Sequence, residues 1–257
     1  MNLLETSLAA LISLGPVADT DKPLEIIKKK DDPGQVRIER DLSQLPSARE
    51  LQLLGDKGNG GDAVVCRDEA GEITSAELLD HFEWRQEKRL QIASWRSKSL
   101  TAYIEKVSEQ LSGCHPYLRD VGAHSSEIAE AFERHTSSGV TEQGRVLFVD
   151  EALGDVKDSK HKELHLPEGC KLEQVAIRLD APGNRRYFVS APILAAMSLR
   201  EQSGLVLHEA LYATYGKRTG IENSYGIRRL VGHLAGLGDA SLKSEKFCSE
   251  LRRRNFL

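Results

Sequence analysis

Apolar residues recur at helical spacing along much of this chain, and this pattern predicts several amphipathic helices. One helix is predicted to begin at Thr74, where Thr74 and Glu77 form a capping box, and another runs from about Ser99 to Gly113. Helical patterns therefore dominate this part of the chain.

Shorter apolar runs indicate a small sheet. Leu172–Leu179 and Arg185–Ser190 are predicted to be two strands, joined by the turn residues Ala181-Pro182-Gly183-Asn184 into a β-hairpin. The glycine-rich stretch Gly55–Asp62 precedes the apolar run Ala63–Cys66. It is interpreted as a tight turn entering a buried strand, with a ligand contact through its glycine amides or Asp62 as the alternative. The predicted fold class is α+β, predominantly helical with a small sheet that contains the hairpin.

The stretch after Ser198 is apolar on nearly all sides and is predicted to be the central buried helix. Ser198 and Glu201 form its capping box, and its interior carries His208 and Glu209. Burying an imidazole beside a carboxylate is costly unless each group is paired or bound. These two residues therefore mark the candidate functional centre.

The His-Glu pair matches the first half of the HExxH helix of zinc peptidases, with Tyr212 in the place of the second histidine. In the catalytic interpretation His208 binds zinc, Glu209 polarises a bound water, and Tyr212 lies near the metal or a reaction intermediate. Glu222 and His233 are the predicted further zinc ligands, because the next helix is expected to pack back on the central one. Zinc is thus the predicted cofactor.

Two other interpretations of the same pair stay open. In one, Glu209 forms a buried ion pair with Arg228 or Arg229 and His208 donates to a backbone carbonyl. In the other, His208 is a satisfied core histidine and Glu209 is exposed at an opening. Arg228 is also a candidate for holding a substrate carboxylate, which places it beside Glu209 and Tyr212 among the catalytic candidates.

A second polar cluster, Asp80, His81 and Glu83, lies on the helix predicted from Thr74. Such a cluster has the chemistry of a metal site, but charged residues at this spacing more often form a solvated face. We therefore predict that these three side chains are exposed.

Composition narrows the classes of function. The chain has 257 residues, with 35 Lys and Arg against 39 Asp and Glu. This slightly acidic balance argues against nucleic acid as a partner, and no apolar run approaches the ~20 residues of a transmembrane helix. Residues 1–18 are predicted to be a signal peptide or an amphipathic N-terminal helix, residues 19–46 a linker or surface arm, and residues 47–257 a single α+β domain.

The cysteines leave the cellular compartment open. Cys66, Cys114, Cys170 and Cys248 lack the CxxC spacing of a zinc site. In an exported chain they can form up to two disulfides, whereas in a cytosolic chain they would be core thiols.

Several short motifs together carry a resemblance to a known family. They are Gly58-Asn59-Gly60-Gly61-Asp62 with Cys66, Glu77-Leu78-Leu79-Asp80, Gly169-Cys170-Lys171-Leu172-Glu173-Gln174, His208-Glu209-Ala210-Leu211-Tyr212, and Ser224 with Arg228. In this combination, from about Gly58 to Leu234, the chain resembles a family of uncharacterised bacterial proteins, many of them predicted to be exported. The resemblance implies export and a role at the cell envelope, and it favours a disulfide between Cys66 and Cys170.

Two functions are predicted on these grounds. The first is a zincin-like metal-dependent hydrolase of the envelope, or a degenerate relative of one. The alternative is a non-catalytic envelope protein that binds a protein or peptide partner, in which His208 and Glu209 form a buried structural polar network. The expected location is periplasmic or extracellular, with the cytoplasm as the alternative.

Overall fold

The computed structural model describes residues 56–58, 61–88, 99–150, 153, 164–181, 184–216, 219, 224–237, 239–242 and 245–257. These residues all belong to the unit Pro46–Leu257. The predicted signal peptide or N-terminal helix (1–18), the predicted arm (19–46) and the candidate zinc ligand Glu222 lie outside the described residues.

A five-stranded sheet contains the predicted hairpin. Its strands are β1 (Asp56–Gly58), β4 (Glu142–Gln143), β5 (Val146–Val149), β7 (Ala176–Ala181) and β8 (Asn184–Ser190), in the order β1-β7-β8-β5-β4. β7 and β8 pair antiparallel as predicted, and β5 joins β8 in parallel. The hairpin is confirmed.

A three-stranded sheet contains the strand that was predicted after the glycine-rich stretch. Its strands are β2 (Asp62–Arg67), β3 (Ile73–Leu78) and β6 (Cys170–Gln174), in the order β3-β2-β6. The predicted single strand Leu172–Leu179 therefore divides between two sheets. The change occurs at Val175, whose amide donates to the carbonyl of Gly61 at 2.9 Å.

The prediction of a helix from Thr74 is wrong, because residues 73–78 form β3. Ala76 and Leu78 are buried with Glu77 partly exposed between them, which is the two-residue period of a strand. The Thr74 hydroxyl donates to the carbonyl of Cys66 at 3.1 Å and does not cap a helix. The helix begins only at Leu79.

Helices form the remainder of the fold. They are α1 (Leu79–Lys88), α2 (Leu100–Ser112), α3 (Val121–Ser138), α4 (Ala191–Ala196), α5 (Leu199–Leu211), α6 (Tyr225–Ala235), α7 (Asp239–Leu242) and α8 (Phe247–Arg253), with a 3-10 turn at Pro116–Leu118. The helix predicted from Ser99 is confirmed as α2, since the Ser99 hydroxyl accepts from the amide of Ala102 at 3.2 Å.

The predicted central helix is α5. It is capped by Ser198, whose hydroxyl accepts from the amide of Glu201 at 3.3 Å, and Glu201–Leu211 is buried throughout. The helix packs against α2, α3 and α6 and continues into a π-helical turn at Tyr212–Gly216. The α+β class and the central buried helix are thus both confirmed.

Candidate functional site

His208 lies on α5 with about 1% of its surface exposed, and it faces Asp80 of α1. Its Nδ1 is 2.8 Å from Asp80 Oδ2. Burial alone would lower the pKa of His208, but the charge of Asp80 and the hydrogen bond to it raise the pKa to about 9. His208 is therefore a buried imidazolium at neutral pH, and its Nδ1–H donates to Asp80.

The other ring nitrogen of His208 is buried without a hydrogen-bond partner among the described residues. The same holds for Asp80 Oδ1 and Glu209 Oε2. Buried polar atoms of this kind are usually satisfied by an ordered water or by a bound group. Each of these three atoms can therefore make a further hydrogen bond to a water or a bound group.

Glu209 is held by the glycine-rich turn before β2. The amide of Gly61 donates to Glu209 Oε1 at 2.8 Å, and Glu209 Oε2 lies 4.0 Å from Nη1 of Arg178 on β7. A β-carbon on Gly61 would collide with Leu205 Cδ1, so any larger residue here requires the buried Leu205 side chain to shift. The strand predicted after the glycine-rich stretch is confirmed as β2, whereas Asp56–Gly58 within that stretch form β1. The Gly61 amide binds a carboxylate of the protein itself.

Arg178 is a member of the site that sequence reasoning missed. Its side chain is about 2% exposed, and its guanidinium lies 4.7 Å above the ring of Tyr212. The Tyr212 ring in turn runs parallel to His208, with 6.4 Å between ring centres. A charged residue in the otherwise apolar run Ala176–Leu179 was the available signal for it.

Tyr187 lies opposite Arg178 on β8 and extends the site along the sheet. Burial, with the negative charge of Glu209, raises the pKa of the Tyr187 hydroxyl to about 12. This phenol therefore stays protonated at any physiological pH.

The three polar residues of α1 are buried, which corrects the prediction of a solvent-exposed face. We call Asp80, His81 and Glu83 the α1 polar face, and their exposed fractions are 1%, 1% and 7%. His81 Nδ1 lies 2.7 Å from Oε2 of Glu201 on α5, and that same oxygen accepts from the Leu78 amide at 2.9 Å. Burial would raise the pKa of Glu201, but the charge of His81 and the bond to it lower this pKa.

Arg228 pairs with Glu83 and not with Glu209. Its Nε donates to Glu83 Oε2 at 2.9 Å, and its Nη1 donates to the Ser224 hydroxyl at 2.6 Å. Burial raises the pKa of Glu83 in spite of this cation. In place of Arg228, the cation beside Glu209 is Arg178, whose Nη1 lies 4.0 Å from Glu209 Oε2.

His233 lies apart from the His208 contacts. Its ring is 5.3 Å from Trp84 and 5.2 Å from Phe256, centre to centre. Burial, assisted by the charge of Arg254, lowers the pKa of His233 to about 4, so it is neutral. Its Nε2 has no hydrogen-bond partner in the described part of the chain.

The described residues do not make a complete zinc site. Within their ranges, no three His, Cys, Asp or Glu side chains are grouped closely enough to hold a metal ion. One feature does fit zinc, because a histidine that binds metal through one nitrogen commonly donates its other N–H to a carboxylate, as His208 does to Asp80. Against this, a metal at Nε2 would have to displace the Nε2 proton of the imidazolium, whose positive charge Asp80 stabilises.

Two disulfides join distant parts of the described chain. Cys66 and Cys170 are bonded at 2.03 Å across β2 and β6, and Cys114 and Cys248 at 2.04 Å between the end of α2 and α8. The Cys66–Cys170 pairing implied by the family resemblance is confirmed.

Comparison with known proteins identifies no similar protein. Neither the protein-family models, nor the curated proteins, nor the solved structures contain a match to this chain. A search of the described residues finds no helix long and apolar enough to cross a membrane.

Proposed function

We propose that this protein is a non-catalytic protein of the bacterial envelope that works by binding, and that its buried His-Glu pair belongs to a structural polar network. The observation that carries the proposal is the pairing of the α1 polar face. Asp80 binds His208, His81 binds Glu201, and Glu83 binds Arg228. Two of these pairs connect α1 to α5 and the third connects it to α6, so the charges hold the three helices together.

The burial of the same groups supports this proposal. His208, Glu209 and Asp80 are each about 1% exposed. A catalytic group must touch its substrate, and a peptide cannot reach side chains buried to this extent without an opening of the fold. The Gly61 amide also occupies Oε1 of the carboxylate that would have to act as the base, and Arg178 lies 4.0 Å from its Oε2.

The two disulfides support an envelope location. Disulfides persist in oxidising compartments and are rare in cytosolic proteins. Both bridges connect segments more than a hundred residues apart, with separations of 104 and 134. They therefore stabilise the domain as a whole, which suits a protein that works outside the cytoplasm.

A metal-dependent hydrolase is the second candidate. The observation that favours it is the unsatisfied Nε2 of His208, whose Nδ1 is already fixed by Asp80. In that role His208 Nε2 would bind zinc, Asp80 would orient the ring, and Glu209 would act on a bound water. Further ligands would have to come from residues beyond those described, among which Glu222 was predicted.

Two substitutions of His208 separate the proposals. The amide nitrogen of Asn lies near the position of Nδ1, whereas that of Gln lies nearer to Nε2. If the network is structural, His208→Asn keeps a donor to Asp80 but loses the positive charge and costs about 3 kcal/mol of unfolding free energy, while His208→Gln costs up to about 5 kcal/mol because Asp80 is also left without a donor. Chemical denaturation of the purified proteins measures both values.

Metal analysis provides the second measurement. The protein is incubated with zinc, passed through a desalting column and analysed for bound metal. The structural proposal expects no stoichiometric zinc. About one zinc per chain in the wild type, lost in His208→Asn and retained in part by His208→Gln, would instead establish the metal site. Glu130→Gln, on the exposed side of α3, is the control substitution.

A further inference from the structure

The Cys66–Cys170 bridge closes onto the edge strand of the three-stranded sheet. Cys66 and Cys170 are directly opposite in the register of β2 and β6, and β6 is the outer strand in the order β3-β2-β6. Both cysteines are partly exposed. A small thiolate can therefore approach this bridge from solvent.

Besides its antiparallel ladder with β2, β6 is held by modest side-chain contacts. Arg67 makes two hydrogen bonds to Glu173, at 3.0 and 2.8 Å, but the pair lies near the surface, with side chains 35% and 19% exposed. Such exposed ion pairs contribute little to stability. The apolar side of β6 packs on a small cluster formed by Val64, Leu79 and Phe82, separate from the main core.

The second bridge has different surroundings. Cys114 is about 2% exposed and belongs to the main hydrophobic core, and Cys248 packs against that core. Arg252 also donates to the Cys114 carbonyl at 2.7 Å. Access to this bridge therefore requires a larger opening of the fold.

The edge strand is connected to the polar centre through Gly61. The carbonyl of Gly61 accepts from Val175 and Ala176, immediately after β6, at 2.9 and 3.2 Å. The amide of the same residue donates to Glu209. The chain then continues into β7, which carries Arg178, so a displacement of β6 acts on both contacts of Glu209.

We propose that the Cys66–Cys170 bridge is a redox-sensitive latch whose reduction by a dithiol releases β6 and loosens the Gly61–Glu209 contact while Cys114–Cys248 stays closed. A thiolate of the dithiol attacks one sulfur of the bridge, which gives a mixed disulfide and a free cysteine thiolate. The second thiol of the reagent then displaces the other cysteine. Two electrons pass to the protein, the two cysteines take up protons as thiols, and the dithiol leaves as its own disulfide.

The test uses the full chain with both bridges intact. Samples are treated with increasing dithiothreitol, quenched by alkylation, and mapped by peptide mass spectrometry. Cys66 and Cys170 are expected to be alkylated at least about tenfold faster than Cys114 and Cys248, because reduction follows exposure and local opening. Equal rates for the two bridges, or earlier reduction of Cys114–Cys248, would overturn the proposal.

Hydrogen exchange of the half-reduced protein tests the coupling. Amides of residues 164–176 and the Gly61 amide are expected to lose protection, while those of α2 and α3 keep it. Retained protection at Gly61 would refute the connection to Glu209. The variant Cys66→Ser with Cys170→Ser should show the same exchange pattern without reductant, and Cys114→Ser with Cys248→Ser is the matched control in which Gly61 stays protected.

Discussion

At the scale of single residues, the Gly61 amide donates a hydrogen bond to Glu209, which lies 148 positions later in the sequence. The apolar run after the glycine-rich stretch was sufficient to predict the strand β2, although the stretch itself contains β1 at Asp56–Gly58. The partner of the Gly61 amide was not predictable, since Glu209 reaches Gly61 only after α5 has packed beside β3 of the same sheet as β2. Arg178 escaped prediction for a similar reason: Arg228 and Arg229 are closer to Glu209 in sequence, but helix packing points Arg228 toward Glu83.

Gly61→Ala is expected to destabilise the protein by about 1–3 kcal/mol, because the added methyl group collides with Leu205 and must displace either the core or the Glu209 contact. The free energy of unfolding from urea denaturation measures the loss. Gly226→Ala is the matched control. Its β-carbon would meet no atom within 4 Å, and alanine is the better helix former, so this variant should be equally or slightly more stable than the wild type. Equal stability of Gly61→Ala and Gly226→Ala would show that the close approach is unimportant.

At the scale of secondary-structure elements, α1 shows where pattern and packing diverge. Its polar residues have the spacing of a solvated helix face, and polar residues outnumber apolar ones as they do in a surface helix. In the structure the same side chains are buried because α5 and α6 supply opposite charges at matching positions. The helices α2 and α5 were therefore predictable, because their caps and apolar faces agree. The burial of the polar side of α1 was not.

The attachment of α1 to α5 should depend on pH on the alkaline side. The pKa of His208 is about 9 in the folded protein, above the ordinary value of 6.5 expected after unfolding. A raised folded-state pKa means that the stabilisation is fully present below about pH 6.5 and is lost as pH rises through about 9. The free energy of unfolding should fall by an amount on the order of a few kcal/mol across this window.

Asp80→Asn is the control for that titration. Without the carboxylate charge the imidazolium loses its main stabilising partner, so the variant should be less stable near pH 6.5 and should lose much less stability between pH 6.5 and pH 9. Urea denaturation of both proteins at steps across this range gives the two slopes. Parallel slopes for wild type and variant would mean that His208 is not the titrating group.

At the scale of the whole molecule, the α+β class followed from counting helical and strand patterns, whereas the arrangement of the strands did not. The chain changes from one sheet to the other at Val175 within a stretch predicted as one strand, and β5 joins β8 in parallel, with Val146 paired to Tyr187 41 positions later. Long-range pairings of this kind leave little local trace, because each strand needs only a suitable alternation of side chains. The disulfide pairings likewise leave no local trace in the sequence. The correct Cys66–Cys170 pairing came from the family resemblance alone.

The two bridges should contribute similarly to global stability even though they differ in local accessibility. In the chain-entropy view a disulfide acts on the unfolded state through the length of the loop that it closes. The sequence separations of 104 and 134 residues differ too little to matter on a logarithmic scale. Cys66→Ser with Cys170→Ser and Cys114→Ser with Cys248→Ser should therefore each lose about 3–5 kcal/mol in urea denaturation, within about 1 kcal/mol of each other. A much larger loss for Cys114 and Cys248 would assign their effect to packing in the main core, since loop entropy cannot distinguish the two bridges.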